Sequence, residues 1–143
     1  KESYTYLILG DGELDEGQVW EAALFTSHQK LVNLITFVDV NGKQLDGMTK
    51  NICNLESLED KFRSFGYHVI AVKNGNNTGQ IYEAICEAKK EKEKPSVLIL
   101  RTVKGAGINY YEMMDNCHST TVKKEDLLRF YDELDRSLHE KEV

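Results

Sequence analysis

The stretch that decides the fold is residues 4–12, which read YTYLILGDG. Its first six residues form an apolar run of strand length, and a Gly-Asp-Gly tripeptide follows directly. Similar runs recur at Leu34–Val38, Tyr67–Val72 and Ser96–Leu100. Short apolar runs rich in Val, Ile and Leu are typical of parallel strands that are buried on both faces. The sequence therefore predicts four such strands.

Segments with helical spacing separate and follow these runs. They are Glu16–Lys30, Leu58–Phe65, Thr78–Lys90 and Lys123–His139. The second begins after a Ser57-x-x-Asp60 capping box. The last has an apolar face, which we expect to lie against the core and which consists of Leu127, Phe130, Tyr131, Leu134 and Leu138. The alternation of strands and helices predicts an α/β fold with a mostly parallel sheet flanked by helices.

Length and charge narrow the possible functions. The 143 residues correspond to one domain, and 18 Lys and Arg against 24 Asp and Glu give a net charge of −6. This acidity argues against nucleic acid and against an anionic membrane surface as partners. The three cysteines form no C-x-x-C pair, which indicates reduced thiols and a cytoplasmic protein. No apolar run approaches the ~20 residues of a membrane span.

Polar side chains follow two of the predicted strands. Asp11 comes directly after the first strand, and Asn41 comes shortly after the second. Ligands of open α/β sheets bind at the carboxyl ends of the strands, where these residues would lie. One carboxylate and one amide oxygen suit Mg²⁺, which takes few protein ligands and completes its shell with water and phosphate. The start of the following helix could bind a diphosphate.

A plainer interpretation of the same residues stays open. Gly-Asp-Gly and Asn-Gly are both common in ordinary turns. Neither matches the G-x-G-x-x-G fingerprint of dinucleotide-binding domains, so a nicotinamide or flavin site has little support.

The joint pattern is more specific than its parts. Residues 10–23, GDGELDEGQVWEAA, are followed by Asn41 and by Leu-Asp-Gly at 45–47. This pattern closely resembles the thiamine-diphosphate motif of transketolases, in particular the N-terminal subunit of the split, two-polypeptide form. The resemblance continues through 58–72 and 102–105. It implies the thiamine-diphosphate-binding fold, apparently without its N-terminal part, so that residues 1–143 would form a partial diphosphate-binding domain.

The resemblance also implies a cofactor and its ligands. The cofactor would be thiamine diphosphate, held through Mg²⁺. The side chains of Asp11 and Asn41 and the main-chain carbonyl of Lys43 would bind the metal. Gly10 and Gly12 would join Asp11 and Asn41 in binding the cofactor, with main chain at Gly12 contacting the diphosphate.

Three further residues match functional positions of the family. Glu16 and Glu21 would belong to a carboxylate network that crosses the dimer interface and couples two active sites. The alternative for both is simple stabilisation of a helix N-terminus by negative charge. His118 would line the pocket for substrate and cofactor, and its alternative is an ordinary loop histidine.

The implied reaction is transfer of a two-carbon ketol unit from a ketose phosphate to an aldose phosphate, as in the pentose phosphate pathway. The family needs a glutamate of a pyrimidine-binding domain, for which this sequence has no counterpart. We therefore expect a C-terminal transketolase section as partner, a homo- or hetero-oligomer, and no activity from the isolated chain.

Three alternatives stay open at this point. The chain could be a non-catalytic truncated module of the same fold. It could also be part of another thiamine-diphosphate enzyme, such as a sugar-phosphate synthase or a 2-oxoacid decarboxylating enzyme. An acidic receiver-like signalling domain also carries aspartates at strand ends, with Lys104 as its weak support.

Overall fold

A computed structural model of the protein describes residues 3–139, apart from the side chain of His139. The strands, in chain order, are β1 (Thr5–Gly10), β2 (Leu34–Val40), β3 (Lys43–Gln44), β4 (Gly47–Met48), β5 (His68–Val72) and β6 (Ser96–Arg101). The helices are α1 (Gly17–His28), α2 (Thr49–Ile52), α3 (Leu58–Ser64), α4 (Thr78–Ala88), α5 (Asn109–Glu112) and α6 (Leu127–His139). Single 3-10 turns lie at Gly12–Asp15 and Lys124–Asp126.

Four parallel strands form the main sheet, in the order β1-β2-β6-β5. In this register Gly10 lies opposite Asp39, and Asp39 lies opposite Leu100. All four strands therefore end on the same side of the sheet, which we call the carboxyl edge. The short strands β3 and β4 form a separate antiparallel hairpin just beyond it. The predicted α/β fold with a parallel sheet is confirmed.

Apolar side chains cover both faces of the sheet. The first cluster lies against α1 and α3 and includes Leu9, Ala23, Val38, Phe62, Val97 and Ile99. The second lies against α4 and includes Ile35, Ile70, Ala84, Ala88, Leu98 and Leu100. The predicted cap of α3 is confirmed, because the Ser57 hydroxyl accepts the N–H of Asp60 at 3.2 Å. Every helix within residues 3–139 is too short or too polar to cross a bilayer.

The prediction that all four strands are buried on both faces is wrong for β1. Leu7 is 39% exposed and Ile8 is 73% exposed, although Leu9 is buried. The reason is position, since β1 is one of the two edge strands and pairs only with β2. An apolar run predicts a strand, but it does not say how many neighbours that strand has.

The apolar face of α6 also lies differently from the prediction. Phe130 is buried and packs on Tyr110 and Tyr111, whereas Tyr131 and Leu138 are each 61% exposed. The helix packs on α5 through an aromatic cluster around Phe130. The expectation that its whole apolar face meets the core is therefore wrong.

Candidate functional site

Asp11 joins the ends of β1 and β2 at the carboxyl edge. Its side chain is buried, and its Oδ1 accepts the main-chain N–H of Gly12 at 3.0 Å. Its Oδ2 accepts the N–H of Gly42 at 2.7 Å. The N–H of Asp11 itself donates to the carbonyl of Asp39 at 3.0 Å. One residue therefore binds both its own loop and the loop that follows β2.

Asn41 lies in that second loop. Its Oδ1 accepts the N–H of Lys43 at 3.0 Å, which closes a tight turn that we call the Asn41 turn, residues 41–43. Gly42 sits at the centre of this turn with φ at +75°, a conformation that favours glycine. The three residues with predicted metal ligands, Asp11, Asn41 and Lys43, are thus brought to one place, because the Asp11 carboxylate binds the residue between the other two.

Burial raises the pKa of the Asp11 carboxyl above its ordinary value of 3.8. The N–H groups of Gly42 and Gly12 oppose that rise, and Lys104 also lowers the pKa. The neighbouring negative charge of Asp39 raises it further. A cation bound beside this carboxylate would favour its ionised form and so oppose the effect of burial.

Gly12, the last residue of the Gly-Asp-Gly tripeptide, packs closely against Gln44. A Cβ on Gly12 would lie 2.6 Å from Cβ of Gln44 and 3.2 Å from its Oε1, so only glycine fits there. The Oε1 of Gln44 is buried and has no hydrogen-bond partner among the described residues. Because the two ends of a Gln amide can exchange by rotation, the same side chain can also turn a donor toward Gly12. The close approach of Gln44 therefore requires glycine at position 12.

The donor set also fits the expected metal. No three His, Cys, Asp or Glu side chains within residues 3–139 are grouped to hold a metal ion. The expected ligands are one carboxylate, one amide oxygen and one main-chain carbonyl. These are hard oxygen ligands of low total charge, which is the usual protein share of a magnesium–diphosphate site. The residues present at the carboxyl edge therefore fit Mg²⁺ with a diphosphate.

The two predicted network residues lie away from this cluster. Glu16 is the N-cap residue of α1 and is exposed, and its side chain makes no hydrogen bond to the first turn. Glu21 is exposed on α1. The main-chain N–H groups at the start of α1 therefore have no side-chain cap. A helix N-terminus of this kind favours negatively charged groups. The network role of both glutamates stays a prediction.

His118 reaches the carboxyl edge through a lysine. Its Nδ1 lies 3.3 Å from Nζ of Lys104, and its N–H donates to Oδ1 of Asn116 at 3.3 Å. Lys104 lines an open cavity of about 500 Å³, whose walls also include Asn41 and Tyr111. The histidine is exposed and stands beside the cavity, so its role as a pocket residue stays a prediction.

Sequence reasoning did not single out several polar residues at this edge. Asp39 is the second-last residue of β2, and its Oδ1 accepts the hydroxyl of Thr102, which follows β6. Asn76 accepts the N–H of Val103 at 2.7 Å. The ammonium of Lys43 donates to the carbonyls of Glu112 and Met114, and no local sequence pattern indicates these contacts. The positions of Asp39 and Thr102 could have indicated them as site residues, since both lie where neighbouring parallel strands end.

Comparisons with known proteins show the family to which the chain belongs. A family profile described as "Transketolase, thiamine diphosphate binding domain" matches residues 1–137. The chain is 46% identical over 120 residues to the 6-deoxy-6-sulfo-D-fructose transketolase subunit SqwG of Clostridium sp. (strain MSTE9), covering 84% of this chain and 43% of that protein. It is 36% identical over 114 residues to an apulose-4-phosphate transketolase subunit of Phocaeicola vulgatus, covering 80% and 40%.

Solved structures of transketolases are also similar to this chain. The transketolase of Leishmania mexicana superposes with a TM-score of 0.70 at 28% identity, covering 97% of this chain and 24% of that one. The chain thus spans less than half the length of either curated relative and about a quarter of this solved structure.

Proposed function

The chain belongs to the transketolase family, as its thiamine-diphosphate-binding section, and we propose that its carboxyl edge holds the diphosphate of that cofactor through Mg²⁺. The hydrogen bond from Gly42 to the Asp11 carboxylate carries this proposal. That bond brings together the tips of β1 and β2, where the family's metal motif falls. The proposed domain is residues 1–143, as part of a larger cofactor-binding domain.

Each residue of the site then has a distinct task. Asp11 and Asn41 bind the metal through side-chain oxygens, and Lys43 binds it through its carbonyl. Gly10 and Gly12 let the main chain approach the diphosphate, and the space beside Gly10 is open, since a Cβ there would meet nothing within 4 Å. These residues fix the position of the cofactor and do no bond-breaking chemistry themselves.

The proposed reaction is transfer of a two-carbon ketol unit from a ketose to an aldose. Thiamine diphosphate, when bound, supplies the carbanion that such a transfer requires. On this chain, Lys104 and His118 present nitrogen atoms beside the open cavity. A lysine ammonium favours negatively charged groups, which gives this side of the site a preference for anionic sugars.

The substrate class that we propose is a ketose with an anionic end, either a phosphate or a sulfonate. The names of two relatives point to this class, since the relative in Clostridium is named for 6-deoxy-6-sulfo-D-fructose and the relative in Phocaeicola vulgatus for apulose-4-phosphate. Both anions carry three terminal oxygens that a lysine can bind. Activity with ketose phosphates and with a sulfonated ketose, compared side by side, distinguishes the two.

A partner polypeptide completes the proposed enzyme. Relatives named as subunits support a split assembly, in which a C-terminal section would carry the pyrimidine-binding domain. We propose that the assembly is a cytoplasmic oligomer, a location supported by the three cysteines, each of which is a free thiol. The isolated 143-residue chain should then be inactive in a coupled transketolase assay, and robust turnover by it alone would contradict this.

Cofactor binding tests the core of the proposal. Isothermal titration of the natural polypeptide that carries this sequence should show thiamine diphosphate binding that requires Mg²⁺ and is lost in EDTA. Asn41→Ala removes one metal ligand and should weaken binding at least about tenfold. Asn51→Ala, at an exposed position of α2, is the matched control and should bind like the wild type. Metal-independent binding, or equal affinity in both variants, would refute the proposed site.

A further inference from the structure

Lys43 has an ammonium group that binds a distant part of the chain. Its Nζ donates to the carbonyl of Glu112 at 3.0 Å and to the carbonyl of Met114 at 2.7 Å. Glu112 is the last residue of α5, where helix carbonyls lack partners within the helix, and Met114 lies just beyond it. A lysine side chain satisfies such groups and complements the negative end of the helix. The contact ties residues 109–118, which we call the α5 segment, to the Asn41 turn.

A second contact supports the same connection. The Nδ2 of Asn116 donates to the carbonyl of Leu45, in the hairpin that follows the Asn41 turn, at 3.1 Å. The Oδ1 of the same Asn116 accepts the N–H of His118 at 3.3 Å. Asn116 therefore makes hydrogen bonds with both the hairpin and His118. Together with Lys43, it provides three hydrogen bonds between the hairpin region and the α5 segment.

The α5 segment also forms one wall of the cavity at the carboxyl edge. Tyr111 lines that cavity together with Asn41 and Lys104. The carboxylate of Glu112, in the middle of the segment, accepts the N–H of Gly107 at 2.8 Å and so holds the segment to the loop after β6. The segment is thus held to the loop after β6 through Glu112, and Lys43 and Asn116 hold it to the Asn41 turn and the hairpin.

We propose that Lys43 is a positioning residue whose ammonium group holds the α5 segment, and with it His118, against the turn that would bind the metal. The inference rests on the proposed function and assigns the side chain of Lys43 a task separate from that of its carbonyl. Binding of Mg²⁺ and diphosphate at the Asn41 turn then also orders the α5 segment. Because such coupling is reciprocal, an ordered α5 segment strengthens cofactor binding.

Hydrogen exchange measured by mass spectrometry on the natural polypeptide tests the contact without any activity assay. Lys43→Met keeps the length of the side chain and removes its donors. We expect the main-chain amides of residues 112–118 to exchange on the order of tenfold faster in this variant. Lys43→Arg retains donors and should restore most of the protection. Lys90→Met, at an exposed lysine after α4, should exchange like the wild type.

Unchanged exchange at residues 112–118 in Lys43→Met would overturn the proposal. The same experiment with Mg²⁺ and thiamine diphosphate tests the coupling. In the wild type, the main-chain amides of residues 41–43 and of residues 112–118 should both exchange more slowly when the cofactor is present. In Lys43→Met, only the amides of residues 41–43 should exchange more slowly. Protection of the Asn41 turn alone in the wild type would refute the coupling and leave the cofactor site intact. Protection of neither region would refute the proposed function, while exchange without cofactor still decides whether Lys43 holds the segment.

Discussion

The carboxylate of Asp11 accepts the main-chain N–H of Gly42 at 2.7 Å, although the two residues are 31 positions apart. This bond crosses from the tip of β1 to the tip of β2 at the carboxyl edge. Gly42 stands between Asn41 and Lys43, so one carboxylate sets where the whole Asn41 turn lies. The geometry of the site therefore depends on a buried, ionisable group, and this dependence can be measured.

The pH dependence of stability should reveal the buried carboxyl of Asp11. Because burial raises its pKa in the folded protein above 3.8, the unfolded chain loses this proton at lower pH than the folded chain does. The folded state then binds more protons between the two values, and stability falls as pH rises through that interval. The free energy of unfolding of the wild type minus that of Asp11→Asn should therefore decrease with rising pH.

Urea denaturation over a series of pH values above 3.8 gives this difference directly. A difference for Asp11 that grows as pH rises would show that its hydrogen bonds outweigh its burial.

Gly12→Ala should destabilise the protein, because the new Cβ would lie 2.6 Å from Cβ of Gln44. Overpacking of this kind costs about 1–3 kcal/mol. Gly17→Ala is the matched control at the first residue of α1, where a Cβ meets nothing within 4 Å. It should stabilise the protein by about 0.4–1 kcal/mol. Thermal and urea unfolding would measure both, and equal stabilities of the two variants would contradict the close packing at Gly12.

Gly10→Ala separates cofactor binding from folding. A Cβ at this position meets nothing within 4 Å, so the fold should tolerate it with a change below about 0.5 kcal/mol. If the main chain here approaches a diphosphate, the added methyl should lower thiamine diphosphate affinity on the order of tenfold. Calorimetry beside a denaturation curve would detect this split, and unchanged affinity would remove Gly10 from the cofactor site.

The exposed edge strand should make the 143-residue chain self-associate. Ile8 is 73% exposed on β1, whose outer side is unpaired among the described residues. Edges of this kind pair readily with other chains. Ile8→Lys should shift the chain toward the monomer, whereas Tyr82→Lys, at a position 69% exposed on α4, should not. Light scattering would measure both, and a monomeric wild type would count against association through β1.

Local sequence signals account for most of the fold. The four long strands start and end within two residues of the predicted bounds, since each is a separate apolar run. Ser57 caps α3 as predicted because the capping box is a local hydrogen-bond pattern. The exposure of Ile8 and of Tyr131 could not be predicted in the same way. Periodicity identifies an apolar face, but burial depends on which other element lies against it.

Local sequence signals likewise predict only part of the candidate site. Asp11 and Asn41 follow neighbouring strands directly, so the parallel register alone brings their loops together. The contact of Lys43 with Glu112 joins residues 69 positions apart and depends on how the α5 segment folds back. Similarly, Lys104 meets His118 only through the course of a long loop. No spacing or composition in the sequence specifies contacts of that kind.

The central position of β2 affects how the protein is made. A ribosome delivers Asp11 and Asn41 early, but β2 gains its second neighbour only when β6, Ser96–Arg101, has emerged. A nascent chain shorter than this lacks the inner strand that steadies the tips of β1 and β2. The proposed cofactor site would therefore be complete only late in biosynthesis, and binding of the cofactor there would stabilise finished chains against unfolding.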